Sequence, residues 1–395
     1  MLHRKELTRF ALISILLLLP ASALSQDSLL IRLADENHAK FTYNGNTFSG
    51  AGWKMIEQKT RSAGNVLIGE DHFIREIPAF TRAVMQSGRF DNFIIELDPY
   101  SSEIIESSLK ELTEKERQAF NEEYQSHFSF YALAPEYDLL KTAVRDSINL
   151  MGAEQIAKFS DRLIFQHLED ITGNDKAKSI YRRMMGQSAK HFRKFLKDSE
   201  HRLYFMRPNF LEQLEKLEAL ALSEFEQSVI EDMKISRVIY RENDHKKRIQ
   251  LMKHILMNRI DEWCGDKNLF KYGAVHMPSG ESLLSIYDIG NLVLHVSDAQ
   301  FKDSYHIAVV AKSGMKGAPF PGSPNSEIDS SKGMLSRLAP FFSVVEGNSW
   351  YAFDMVPIRN KLKSGDLLVS NKLMERVIKG YDTLVIIPKA TAAGF

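Results

Sequence analysis

Short, unbroken apolar runs that end in acids constrain this chain more than any other feature. Val66-Leu67-Ile68 leads into Gly69 and then Glu70, Asp71 and His72. Phe93-Ile94-Ile95 leads into Glu96, with Asp98 two residues on. A strand with no polar face has to be covered on both sides, as parallel strands are. Between the two runs, residues 78–85 place apolar side chains at helical steps. Strand, helix and strand within about 30 residues make a βαβ unit. Ser147-Ile148-Asn149-Leu150-Met151 is a third strand candidate, ending in Gly152-Ala153-Glu154-Gln155. Leu269-Phe270-Lys271-Tyr272 is a fourth, ending in Gly273-Ala274-Val275-His276.

In a parallel sheet all strand C-termini point one way, so residues that follow the strands line one crevice. That prediction gathers Glu70, His72, Glu96, Glu154 and His276 into one site. The two Gly-x-x-His segments, Gly69–His72 and Gly273–His276, are about two hundred residues apart and are expected to meet. A histidine oriented by a carboxylate can take a proton from water, which gives general-base hydrolysis. The same residues could hold a divalent cation with an open position for water. Acids after strands also cap helices. Asp71 and Asp98 read better as caps, whereas glutamate and histidine are not preferred N-caps.

The remaining pattern is α/β: a mainly parallel sheet flanked by helices, with a large helical insertion over its C-terminal edge. Residues 101–145 and 156–262 are the insertions, within one domain over 26–395. Residues 211–240 and 245–263 read as long helices. Arg241 and Arg248 could reach a substrate anion, but a charge run on a helix reads as a solvated face. Residues 291–296 and 306–310 read as strands, as do Trp350-Tyr351-Ala352-Phe353-Asp354 and residues 383–388. His295 and His306 then become core histidines. The Gly-, Pro- and Ser-rich residues 314–333 read as a mobile loop or lid.

Lys plus Arg equals Asp plus Glu, at 51 each, which argues against a nucleic-acid partner. No Gly-x-Ser-x-Gly, Walker loop, dinucleotide glycine fingerprint or His-Glu-x-x-His occurs. The serine-hydrolase, nucleotide-binding and zincin readings lose their support. Residues 1–25 read as a signal peptide: a basic start with Arg4, Lys5 and Arg9, an apolar core over residues 10–19, Pro20, and Ala23-Leu24-Ser25 before Gln26. This predicts a periplasmic or secreted protein with no stable membrane anchor after cleavage. Cys264, the sole cysteine, excludes an internal disulfide. Beside Trp263 it reads as a buried structural thiol.

Four of these pieces resemble the erythromycin-esterase-like superfamily: Val66–His72, Phe93–Glu96, Met151–Glu154 and Gly273–His276. The tail pieces Ala352-Phe353-Asp354 and Tyr381-Asp382-Thr383-Leu384 fit the same pattern. The resemblance implies a parallel sheet with a helical insertion over a deep cleft. It also implies hydrolysis of an ester in a small-molecule substrate, with no cofactor. Carried over, His72 is the base, Glu70 and Glu96 orient it or stabilise charge, and His276 is the partner. The esterases usually place two residues between Glu and His in the first motif; here only Asp71 intervenes. Two related branches imply alternatives. Tiki- and TraB-type proteins look like metal-dependent proteases. Haem-binding iron-regulated lipoproteins share the shorter Gly-Glu-x-His start, but this chain has no lipid-anchor cysteine.

Overall fold

The computed structural model describes residues 27–395. The expected signal peptide lies outside the described residues. In chain order the strands are β1 (His38–Tyr43), β2 (Phe48–Gly50), β3 (Asn65–Glu70), β4 (Asn92–Ile95), β5 (Asn149–Gly152), β6 (Asn268–Gly273), β7 (Ser304–Ala311), β8 (Ser313–Lys316), β9 (Ser326–Asp329), β10 (Trp350–Asp354) and β11 (Thr383–Ile387). Nine of them form one sheet in the order β2-β1-β10-β11-β7-β3-β6-β4-β5. The six strands from β11 to β5 pair in parallel, and β10, β1 and β2 add an antiparallel edge.

Alternation along each strand feeds two cores. Val66 and Ile68 of β3 and Phe93 and Ile95 of β4 join one core, with helices Glu76–Gly88 and Ala134–Arg145 packed on that face. Leu67 and Ile94 join the core on the opposite face, beneath helices His245–Asn258 and Ile289–Ala299. These runs are unbroken because both faces are covered. The chain leaves β3 toward β4 on one face and leaves β6 toward β7 on the other. A crevice therefore opens beyond the C-terminal ends of β3 and β6, as it does wherever connections diverge in an open α/β sheet.

Residues 161–262 lie between β5 and β6 and carry their own apolar core, built around Phe165, Tyr181, Phe210 and Met233. Helix Pro99–Glu111 starts at Asp98, whose carboxylate accepts from Ser101 N at 2.8 Å, the cap anticipated there.

Several local expectations are overturned. Residues 291–296 are not a strand. They lie within helix Ile289–Ala299, which Asp288 caps and which buries Ile289, Val293 and Ser297 at four-residue steps. The β-branched character of Val293 and Val296 is overridden by that spacing and cap. His295 on this helix is exposed. Residues 211–240 divide into Pro208–Glu218 and Glu224–Glu242, the second opened by a Ser223/Glu226 capping box. Residues 245–263 break at Arg259. Residues 314–333 contain the β8–β9 hairpin. Strands β1 and β2 lie in a segment with no strand expected, and Cys264, expected to be buried, is exposed against Gln300.

Candidate functional site

Register places the two Gly-x-x-His segments side by side, with Gly69 opposite Tyr272 and Glu70 opposite Gly273. Beyond β3 the chain turns sharply. Phe73 takes a φ of 71°, unusual for a bulky residue. Its carbonyl accepts from Gly317 N at 2.8 Å and Ala393 N at 3.0 Å, and these contacts fix the strained turn. The turn folds His72 back onto its own strand, so that Nδ1 meets Glu70 Oε1 at 2.7 Å. On the other side, His72 Nε2 is 3.4 Å from Glu96 Oε2. Gly273 makes this approach possible. A Cβ there would sit 3.0 Å from His72 Nε2 and 3.6 Å from Glu96 Oε2.

Glu96 is the hub. Its Oε2 accepts from Gly273 N at 2.6 Å, and its Oε1 accepts from Arg248 Nη2 at 2.8 Å. His276 Nε2 lies 3.8 Å from the same Oε1. His276 Nδ1 in turn meets Asp288 Oδ2 at 2.9 Å. Arg248 also clamps Glu154, with Nε 3.0 and 3.1 Å from its two carboxylate oxygens and Nη2 in contact with Oε2. Glu70, His72, Glu96, Glu154 and His276 are thus joined in one network of hydrogen bonds and charged contacts. They do not stand alike in it. The His72 side chain is 26% exposed, whereas that of His276 is 1% exposed and sits behind Glu96.

Beneath the turn lies a group that motif reading passed over. Lys271 shares a sheet face with Val66, Ile68 and Glu70, and its side chain is fully buried. Its Nζ is 2.7 Å from Glu70 Oε1 and 2.9 Å from Glu136 Oε1, under the rings of Phe130 and Tyr131. The Lys271 signal was visible as a lone cation inside an otherwise apolar strand, which demands a buried anion. Arg248 was read as solvated because its run is charged. It stands in the first turn of helix His245–Asn258 and reaches Glu96 and Glu154, which periodicity does not reveal.

Asp71, expected as a helix cap, caps nothing. The next helix begins at Glu76 without a side-chain cap, and Asp71 pairs instead with Lys316 of β8. His306 is a satisfied core histidine, with Nδ1 2.7 Å from Met277 O.

The charges follow from this geometry. Burial alone would depress the His72 imidazole. The Glu96 and Glu70 carboxylates override it and raise the group to about 10. Burial opposes ionisation of Glu96, but His72, His276 and Arg248 together hold it well below the ordinary carboxylate range. Burial likewise works against the Glu70 charge, and Lys271 and His72 outweigh it. Glu136 goes the other way: burial exceeds the pull of Lys271 and pushes its carboxyl up to about 7.

His72 stands where two cavities meet. The larger, about 690 Å³, has apolar walls including Val275, Val310, Ile328, Leu338 and Val377, with the β8–β9 hairpin along one side. The smaller, about 320 Å³, sets Glu96, Glu154, Gln155 and Arg248 against apolar residues such as Phe130 and Phe159. A cleft with mostly apolar walls and a few converging polar groups has the character of a small-molecule pocket. Among the described residues no group of three or more His, Cys, Asp or Glu is arranged to hold a metal ion. The donor set explains this. Lys271 and Arg248 already occupy the positions from which a cation would neutralise Glu70, Glu96 and Glu154. The residues present do not fit a divalent ion.

A mainly parallel α/β sheet with its polar cluster at diverging strand ends defines the class of fold. Its closer likeness comes from solved structures. A mutant of erythromycin esterase in its open conformation matches with a TM-score of 0.55 at 14% identity, covering 87% of this chain and 95% of that one. A succinoglycan biosynthesis protein matches at 0.56 and 12% identity, covering 94% and 99%. A Bacillus cereus protein matches at 0.54 and 11% identity, covering 93% and 98%. The chain has the erythromycin-esterase-like fold. No family model matches the sequence, and no curated protein does.

Proposed function

We propose that this protein is a hydrolase that cleaves an ester of an apolar small molecule, with His72 as the base. The carrying observation is that His72 projects into the cleft while held between two carboxylates. Glu70 accepts a hydrogen bond from Nδ1–H and fixes the ring. Nε2 takes a proton from water as the water oxygen attacks the ester carbonyl. Glu96 compensates the imidazolium that forms. The same proton then passes to the departing alcohol oxygen, leaving a carboxylic acid and an alcohol. His276 does not reach the cleft wall. It is a positioning residue, which with Arg248 and Gly273 N holds the Glu96 carboxylate toward His72.

The same clamp has a cost. A pKa of about 10 keeps His72 protonated at neutral pH, so the base form grows about tenfold per pH unit until that value is reached. Turnover of an aryl butyrate, followed from pH 6 to ~10.5, should climb accordingly. His72→Ala should lower it by about 10³-fold while leaving the circular dichroism spectrum unchanged. Full turnover in that variant overturns the assignment. Saturable ester binding with no turnover by the wild type replaces the hydrolase reading with a binding one.

Export completes the proposal. It rests on the pattern of residues 1–25, and N-terminal sequencing of the mature protein tests it. A start at Gln26 supports it, and a retained Met1 removes it.

A further inference from the structure

A third cavity, of about 680 Å³, shares no lining residue with the two that meet at His72. It lies just past the His72 turn. One wall is the start of helix Glu76–Gly88, which presents Arg75, Ala79 and Arg82, spaced as one helical face. The facing wall is the start of helix Ala134–Arg145, with Ala134, Pro135 and Asp138. Residues 391–395 run across the end, with Arg75 N bonded to Thr391 O at 3.0 Å.

The charges in this cavity are unevenly satisfied. Glu76 accepts from Thr391 N at 3.0 and 3.1 Å and from Thr391 Oγ1 at 2.6 Å. Asp138 is paired with Lys141 at 2.8 Å. Both acids therefore have partners. Among the described residues, neither the Arg75 nor the Arg82 side chain has a hydrogen-bond or ion-pair partner, and Arg82 Nε is buried and unsatisfied. A buried guanidinium donor left unpaired destabilises the protein, and each guanidinium presents a planar fork matched to an oxyanion. Alanine and proline side chains nearby leave room for a short organic body.

We propose that this cavity is a separate binding site for a small molecule bearing a carboxylate or phosphate group, held by Arg75 and Arg82. It does not depend on the hydrolase assignment. The test is calorimetric titration of the full chain, at constant ionic strength, with inorganic phosphate, benzoate and neutral benzamide. At least one anion should saturate a single site, and benzamide should not. Arg82→Gln and Arg75→Gln should each weaken binding by about tenfold or more, the loss of a charge-assisted pair. Tighter phosphate identifies a phosphoryl ligand, and tighter benzoate a carboxylate one. The proposal is overturned if neither anion saturates by about 10 mM, or if both variants bind like the wild type. Arg75 is exposed, so its variant remains informative if Arg82→Gln fails to fold.

Discussion

The chain carries the same four-residue pattern twice, and the structure uses the two copies differently. After β3, Gly69–His72 ends in a histidine on the cleft wall, clamped by Glu70 and Glu96. After β6, Gly273–His276 ends in a buried histidine paired with Asp288. In the first copy, the left-handed Phe73 throws the ring outward. In the second, the glycine clears space for the other copy's ring, and the histidine sits behind Glu96. Residue pattern therefore specifies location at a strand end, while the following turn specifies the role. One corner is expected to perform chemistry and the other to hold it in place.

The sharpest way to break this division is to exchange their effects. His72→Ala should lower kcat/KM by about 10³-fold, in the range for loss of a general base, while Arg248 and Lys271 still neutralise the acids. Urea unfolding above pH ~10, where the charge of His72 is gone, should then stay within about 1 kcal/mol of wild type. His276→Ala should do the reverse. It strips a buried Asp288 of a hydrogen-bond partner and should cost about 2 kcal/mol of stability, with a smaller loss of rate than His72→Ala. Equal kinetic losses at unchanged stability would erase the distinction.

Lys271→Met tests the support beneath the first corner. Glu70 and Glu136 would be left facing each other in the core, so destabilisation of about 3 kcal/mol or more is expected in urea titrations. Adding Glu136→Gln should recover part of it.

Smaller effects concern proton affinity. Glu96 is the largest influence raising the His72 imidazole, so Glu96→Gln should move the alkaline rise in turnover to lower pH. The linked stability has a definite sign. The folded value, about 10, exceeds the reference 6.5, so this group's contribution is complete below pH 6.5 and disappears as pH rises through about 10. Comparing wild type with His72→Ala at neutral pH and above pH ~10 isolates it. Smallest is Gly273→Ala. Its methyl would press on the imidazole and should slow turnover about tenfold with little change in unfolding.

Much of the parallel sheet was legible because its strands are apolar on both faces, and Glu70, His72, Glu96, Glu154 and His276 were legible because they directly follow those strands. What escaped was whatever depends on distant packing. Arg248 looks solvated within its own helix, and its place is set by how residues 161–262 return to the sheet. Lys271 was in plain view, but its partner Glu136 lies on a helix 135 positions earlier. Residues 291–296 form a helix because the Asp288 cap and the burial of Ile289, Val293 and Ser297 at four-residue steps override the β-branched Val293 and Val296. Strands β1 and β2 were missed because an edge hairpin with one solvated face lacks a continuous apolar run.

The strand order has a consequence for how the molecule is made. Strands β3 and β4 never touch, because β6 fills the gap between them. On the ribosome, β3 and β4 emerge early, and the strand that joins them follows almost two hundred residues later. Until then both present open backbone edges, the kind of surface that invites pairing with another chain. The long helical segment must be synthesised and packed before the sheet can close. Glu96 meets Gly273, and so His72 finds its second carboxylate, only at that late step. Catalytic competence would then report completion of the fold, and nascent or truncated chains lacking β6 should be both inactive and sticky.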